Sequence, residues 1–173
     1  GQIDRCRSSG PVLFGFALGP LGRAFVAIRE PRPGQGQRQA QISLGGGKRF
    51  RPFLVVECAS LFGVARERAL LAGSALECVH CYSLVHDDLP CMDNDVLRRG
   101  KPTCHVEFDE ATALLVGDAL QTQAFQALSN HLSGIAPARQ LDMLHLLATA
   151  SGSRGMAGGQ AVDLAAVGQQ LTV

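Results

Sequence analysis

A net charge is the first thing this sequence lacks: 16 Lys and Arg stand against 15 Asp and Glu, leaving +1. No global field draws such a chain onto nucleic acid, so any anion binding must come from local clusters. An unbroken apolar run long enough to cross a bilayer is missing too. The stretch from Pro11 to Ile28, preceded by Arg5 and Arg7, has a faint likeness to a signal or transit peptide, but Pro20 and Arg23 interrupt it, and no membrane span is expected. A disulfide or zinc framework is also unsupported. Of the six cysteines, Cys78 and Cys81 form a C-x-x-C, yet no second pair follows at zinc-ribbon spacing and no βαβ context surrounds them. The cysteines read as reduced thiols of a cytoplasmic protein, with plastid targeting left open. There is no internal repeat, no period-two strand pattern and no nucleophile–base arrangement of the Ser-His-Asp kind.

What is present is a chain long enough for one packed domain, 46% hydrophobic and 18% charged. Residues 1–43 are rich in Gly, Pro, Arg and Gln and are expected to be a poorly ordered lead-in, with Pro31, Pro33, Gly34 and Gly36 breaking any helical period. Residues 44–173 read as one helical domain. Pro52 suits a helix start, Phe53, Leu54, Val56, Leu61 and Phe62 supply an apolar face, and Gly63 stops it. A second helix is predicted over 65–86, ended by Pro90, and a third over 110–131. The third is apolar nearly all round, through Leu114, Leu115, Val116, Leu120, Phe125 and Leu128, which predicts burial inside a bundle. A fourth begins near Pro137. After it, Gly152, Gly155, Gly158 and Gly159 permit close backbone approach. The fold class is all-α, an antiparallel helix bundle.

The segment from His86 to Gly100 carries the chemistry. Asp87, Asp88, Asp93 and Asp95 crowd the end of an otherwise apolar helix, where mutual repulsion is unfavourable unless cations sit among them. Hard oxygen donors with room for water and phosphate suit Mg²⁺. An EF-hand is excluded by spacing, since Arg98 stands where the loop needs Gly and Cys104 where it needs Glu. A second cluster, Gly45-Gly46-Gly47-Lys48-Arg49-Phe50-Arg51-Pro52, combines backbone amides, a helix start and basic side chains, as a diphosphate cradle would. It is not a Walker loop, because Ile42 and Arg49 replace residues that loop requires. His80 precedes Asp87 by two helical turns and shares its face. Asp118 is a lone carboxylate in an apolar helix, which reads equally as structural or functional.

These segments resemble the trans-isoprenyl diphosphate synthases of the polyprenyl synthetase family, most closely the bacterial farnesyl diphosphate synthases. GGGKRFRP, HCYSLVHDDLPCMDNDVLRRGKPT, LLVGDALQTQAF and GGQAVDL follow in the family's order from Leu44 to Leu164. The resemblance implies an isoprenoid-synthase helix bundle that condenses an allylic diphosphate, dimethylallyl or geranyl, with isopentenyl diphosphate. It implies Asp87, Asp88 and Asp93 as the first aspartate-rich motif, with Asp87 and Asp93 as Mg²⁺ ligands and Arg98 on the same diphosphate. Lys48, Arg51, His80 and Arg99 would bind isopentenyl diphosphate. Gln160 and Asp163 would line the allylic site. Tyr82, with Ser83 beside it, would limit product length and favour C15 over C20, and a homodimer is implied.

The family's second aspartate-rich motif has no counterpart in this sequence, so the resemblance implies an incomplete bundle carrying the first half of the active site. Two alternatives stay open: a truncated, non-catalytic half-site or partner subunit, and an HD-type metal phosphohydrolase suggested by His86-Asp87.

Overall fold

A computed structural model describes residues 49–129 and 134–168; the lead-in and the Gly45–Lys48 run lie outside the described residues. The described chain is mostly helical: α1 (Phe50–Leu61), α2 (Arg66–Asp87), the two-residue strands β1 (Leu97–Arg98) and β2 (Lys101–Pro102), the short α3 (Cys104–Glu107), α4 (Glu110–Ser129), α5 (Pro137–Ser151) and α6 (Met156–Ala166). It divides into two compact units. One contains Val85–Leu114; the other contains Arg49–Leu84 and the chain from Leu115 onward.

In the larger unit, α1 begins two residues before Pro52, which therefore sits in the first turn, where its missing N–H is no loss. The helix ends as Gly63 predicts. The amide of Gly63 donates to the Ser60 carbonyl and that of Val64 to the Ala59 carbonyl, both at 3.1 Å, which closes a Schellman cap. The first residue before α1, Arg49, holds a left-handed φ of 50° and its guanidinium reaches Glu77 of α2 at 2.7 Å. Along α2 the buried positions are small: Ala69, Ser74, Ala75 and Cys78, with Val79 and Tyr82 supplying volume.

The third helix of the sequence reading requires a correction. Within the described residues α4 is not buried all round: Leu114 is 48% and Leu115 64% exposed, and Asp118, Gln121, Thr122 and Gln126 are exposed as well. Its packed face is instead made of Ala113, Val116, Leu120, Ala124, Ala127 and Leu128 at helical spacing. The small residues let backbones approach closely, and Val116, Leu120 and Leu128 fill the volume between them. At the start of α4, Asp109 caps the first turn: its carboxylate accepts from the Thr112 amide at 2.7 Å and the Thr112 hydroxyl at 2.8 Å. At the other end, Gln140 Nε2 donates to the carbonyl of Leu128 at 2.6 Å and satisfies one of the terminal acceptors.

α5 starts with Pro137 as its first residue. The glycine-rich stretch after it contributes a further helix, α6, that the sequence did not suggest. The close approach holds at Gly152, Gly155 and Gly158, each against the chain just before it: a Cβ on Gly155 would lie 2.0 Å from the Ala150 carbonyl oxygen, and one on Gly158 1.9 Å from that of Ser153. It does not hold at Gly159, where a Cβ would meet nothing within 4 Å. Much of the apolar surface of α5 and α6 is open, with Leu141 65%, Leu146 70% and Val162 69% exposed. No described helix is long and apolar enough to cross a membrane.

Candidate functional site

The acidic segment lies wholly in the smaller unit, and its backbone explains why the residues are spaced as they are. Helix α2 ends at Asp87, after which the chain turns tightly. The Leu89 amide donates to the His86 carbonyl at 3.1 Å, Met92 to Leu89 at 2.9 Å, and Asn94, at a left-handed φ of 54°, also to Leu89 at 3.1 Å. The turn then closes on the helix: the Asp93 amide donates to the Asp87 carbonyl at 2.9 Å. Five intervening residues are thus folded away, and the backbone of Asp93 lies against that of Asp87.

A two-residue hairpin follows. Arg99 (φ 55°) and Gly100 (φ 76°) form its tip between the antiparallel pairs Leu97 with Pro102 and Arg98 with Lys101. Both tip residues have positive φ, as the turn type matching strand twist requires. Glycine adopts this freely; Arg99 does not, and its left-handed backbone is unfavourable by roughly 1–2 kcal/mol. Thr103, 2% exposed, ties the hairpin down. Its amide donates to the Val96 carbonyl at 3.2 Å, its hydroxyl to the Asp95 carbonyl at 2.7 Å, and His105 Nδ1 lies 3.2 Å from that hydroxyl.

The carboxylates differ sharply in surroundings. Asp88 is 4% exposed, and both its oxygens accept from Arg98: Nε lies 2.9 Å from Oδ1 and 3.0 Å from Oδ2, while Nη2 lies 2.5 Å from Oδ1. Arg98 Nη2 is also 3.7 Å from Asp95 Oδ2. The Asp88 hydrogen bonds, followed by the nearby negative charges, raise the Arg98 pKa against the opposing effect of partial burial. Asp87 is half-buried and Asp93 exposed. His86 donates from Nε2 to the Leu114 carbonyl at 2.9 Å, so that nitrogen faces a helix backbone.

The other expected site residues belong to the larger unit, except Arg99 at the hairpin tip and Lys48, which lies outside the described residues. Arg51 is exposed in the first turn of α1; His80 is half-buried on α2 and its carbonyl accepts from Ser83 Oγ at 2.9 Å. Tyr82 is buried at 7% exposure. On α6, Gln160 is half-buried and Asp163 exposed.

Two residues escaped the sequence reading: Glu77, 9% exposed, anchors Arg49, and Thr103 fixes the hairpin. Asp95, there one of four crowded carboxylates, lies 3.7 Å from Arg98. A charged residue amid the apolar run of α2 was the one visible signal for Glu77. Cys78 is inert by its surroundings, its thiol pushed up to about 12 chiefly by burial, and burial likewise lifts Cys104 to about 11.

Asp87 and Asp93 carry carboxylate oxygens, the donor type Mg²⁺ takes, and among the described residues no three His, Cys, Asp or Glu side chains gather into a group that could hold a metal ion. Mg²⁺ is commonly held by one or two carboxylates plus the phosphates of a substrate.

The polyprenyl synthetase family pattern matches residues 37–172. The farnesyl diphosphate synthase of Escherichia coli is 52% identical over 130 residues, covering 75% of this chain and 44% of that protein. The chloroplastic geranylgeranyl pyrophosphate synthase of Capsicum annuum is 45% identical over 125 residues, covering 72% and 34%. The apo crystal structure of an FPP/GFPP synthase from Zymomonas mobilis superposes with a TM-score of 0.77 at 51% identity, covering 85% of this chain and 53% of that one. The chain therefore spans less than half the length of these two curated relatives.

Proposed function

As the chain belongs to the polyprenyl synthetase family, we propose that it carries the first aspartate-rich half of a Mg²⁺-dependent prenyltransferase active site. The reaction joins dimethylallyl or geranyl diphosphate to isopentenyl diphosphate, with farnesyl diphosphate as product, in a protein that works as a homodimer.

Asp87 and Asp93 would hold the metal, which supplies neutralising charge to the allylic diphosphate as it departs. Arg98 donates to the same diphosphate. Charge of this kind, fixed in place before the reaction, favours breaking the allylic C–O bond. The alkene of isopentenyl diphosphate then attacks the allylic cation, and a proton is lost from the adjacent carbon. Lys48, Arg51, His80 and Arg99 position isopentenyl diphosphate through its phosphates, Gln160 and Asp163 line the allylic side, and Tyr82 with Ser83 limits chain growth. No nucleophilic side chain is needed.

The observation that carries this reading is the 2.9 Å backbone bond from Asp93 to Asp87, beside the Asp88–Arg98 pair. It brings the backbone of Asp93 against that of Asp87, two acidic residues separated in sequence, while Arg98 sits on the neighbouring Asp88. The test is titration with geranyl diphosphate in the presence and absence of Mg²⁺, followed by addition of labelled isopentenyl diphosphate. Metal-dependent binding and a longer labelled prenyl diphosphate are expected. Binding without turnover would assign this chain to a half-site, and phosphate release with no C–C bond formed would favour a phosphohydrolase.

A further inference from the structure

The adjacent carboxylates Asp87 and Asp88 look equivalent in sequence, yet their environments divide the labour between them. We propose that Asp88, which the ligand pair Asp87 and Asp93 leaves out, is a positioning residue that holds Arg98 so that one edge of its guanidinium faces a substrate diphosphate; this rests on the prenyl-transfer reading above.

The geometry is specific. The Asp88 side chain is 6% exposed, and both oxygens accept hydrogen bonds from Arg98. A carboxylate so occupied has little capacity left for a cation, whereas Asp93 is exposed and beside Asp87 along the backbone. Arg98 uses its Nε and Nη2 on Asp88, with Asp95 Oδ2 3.7 Å from Nη2. Nη1 is the nitrogen this arrangement leaves to meet an anion, on a side chain 33% exposed. A forked pairing fixes the guanidinium plane, which a lysine could not reproduce. The hairpin supports the same pose: Thr103 anchors the Asp95 and Val96 carbonyls just before β1 and so sets where Arg98 leaves the backbone. The device resembles the outer partners that orient metal ligands, applied here to a substrate-binding cation.

Calorimetric titration with geranyl diphosphate over a range of Mg²⁺ concentrations tests this on the wild-type chain and on Asp88→Asn, Asp87→Asn, Arg98→Gln and the Asp88→Asn/Arg98→Gln double variant. Asp88→Asn is expected to weaken geranyl diphosphate binding about 10- to 100-fold, as loss of an orienting partner typically does, with the Mg²⁺ midpoint unchanged. Asp87→Asn is expected to raise that midpoint. The double variant should bind no more weakly than Arg98→Gln alone, because Asp88 acts through Arg98. A midpoint raised by Asp88→Asn as much as by Asp87→Asn, or additive losses in the double variant, overturns the assignment. Should Asp88→Asn fail to fold, Arg98→Lys serves in its place: it keeps the charge but not the fork, so a loss of affinity supports the proposal and unchanged affinity overturns it. A wild-type chain that binds no geranyl diphosphate at any Mg²⁺ concentration overturns the prenyl-transfer reading with it, while a binding wild type with the wrong variant pattern overturns the positioning role alone.

Discussion

The ion pair between Arg49 and Glu77 offers a quantitative test of how the basic segment is anchored to α2. Its N–O separation is 2.7 Å, with the Glu77 side chain 11% and the Arg49 side chain 26% exposed. A hydrogen bond between charged groups contributes about 1.5–3 kcal/mol when well shielded, and the exposure of Arg49 discounts this to about 1–2 kcal/mol. Arg49→Ala removes the pair and leaves a nearly buried carboxylate without this partner, so a loss of about 2–3 kcal/mol is expected, below the range for fully buried pairs. For a chain of this size that corresponds to a fall in Tm of roughly 4–12 °C. Backbone conformation separates two substitutions at the same position. Arg49 sits at φ 50°, a conformation alanine also resists and glycine accepts, so Arg49→Gly should lose about 1 kcal/mol less than Arg49→Ala. Urea unfolding followed by circular dichroism, on the wild type, Arg49→Ala, Arg49→Gly, Glu77→Ala and the Arg49→Ala/Glu77→Ala pair, gives both terms. A coupling below about 0.5 kcal/mol in that cycle, within the scatter of additive sites, would show that the pair does not stabilise the fold. Equal losses for Ala and Gly at position 49 would refute the strain argument.

Three further outcomes follow from the same contacts. Thr103→Val keeps the shape but removes the hydroxyl that donates to the Asp95 carbonyl, so a loss of about 1–3 kcal/mol is expected in thermal unfolding; an unchanged Tm would mean the hairpin is held elsewhere. Asp109 caps α4, and the Thr112 amide and then the Thr112 hydroxyl hold its pKa below the ordinary value. A carboxylate whose folded pKa is depressed contributes stability above its unfolded pKa and loses it as pH falls through the folded one. Asp109→Ala should therefore destabilise the chain near neutrality and match the wild type in strong acid, as pH-dependent unfolding curves will show; a gap independent of pH contradicts the cap. Brief alkylation at mildly alkaline pH, read by mass spectrometry, should modify exposed Cys58 and Cys91 and spare buried Cys78 and Cys104, and equal labelling of Cys78 would contradict its raised pKa.

How far the sequence reveals this structure depends on whether a signal is local or needs neighbours. Pro137 and Gly63 announce their helix ends because each acts through its own backbone geometry, and both ends fall where expected. The packed face of α4 was harder to find, since Ala113, Ala124 and Ala127 score weakly as hydrophobes and are chosen for what they permit their neighbours to do. The hairpin at Leu97–Pro102 has strands of two residues, too short for alternation to register, and an arginine at one of the two positions where positive φ favours glycine. That Arg99 is tolerated there follows from the tethers on either side: Thr103 secures the chain before β1, and Asp88 secures Arg98 at the base of the turn.

The same distinction governs the acidic motif. Spacing reveals that carboxylates are numerous at the end of α2 but does not by itself separate Asp87 from Asp88; the family resemblance does, by implying Asp87 and Asp93 as the ligands. Burial separates them as well. One helical step carries Asp88 inward to Arg98, while the turn from Leu89 to Asn94 returns Asp93 to Asp87. A cluster that looks like four competing anions is therefore internally sorted: one is neutralised by a guanidinium, one steadies that guanidinium from the side, and two lie adjacent along the backbone at the helix end. It follows that removing Arg98 should harm the motif in a way that removing the exposed Arg99 does not, because only Arg98 has a buried carboxylate depending on it.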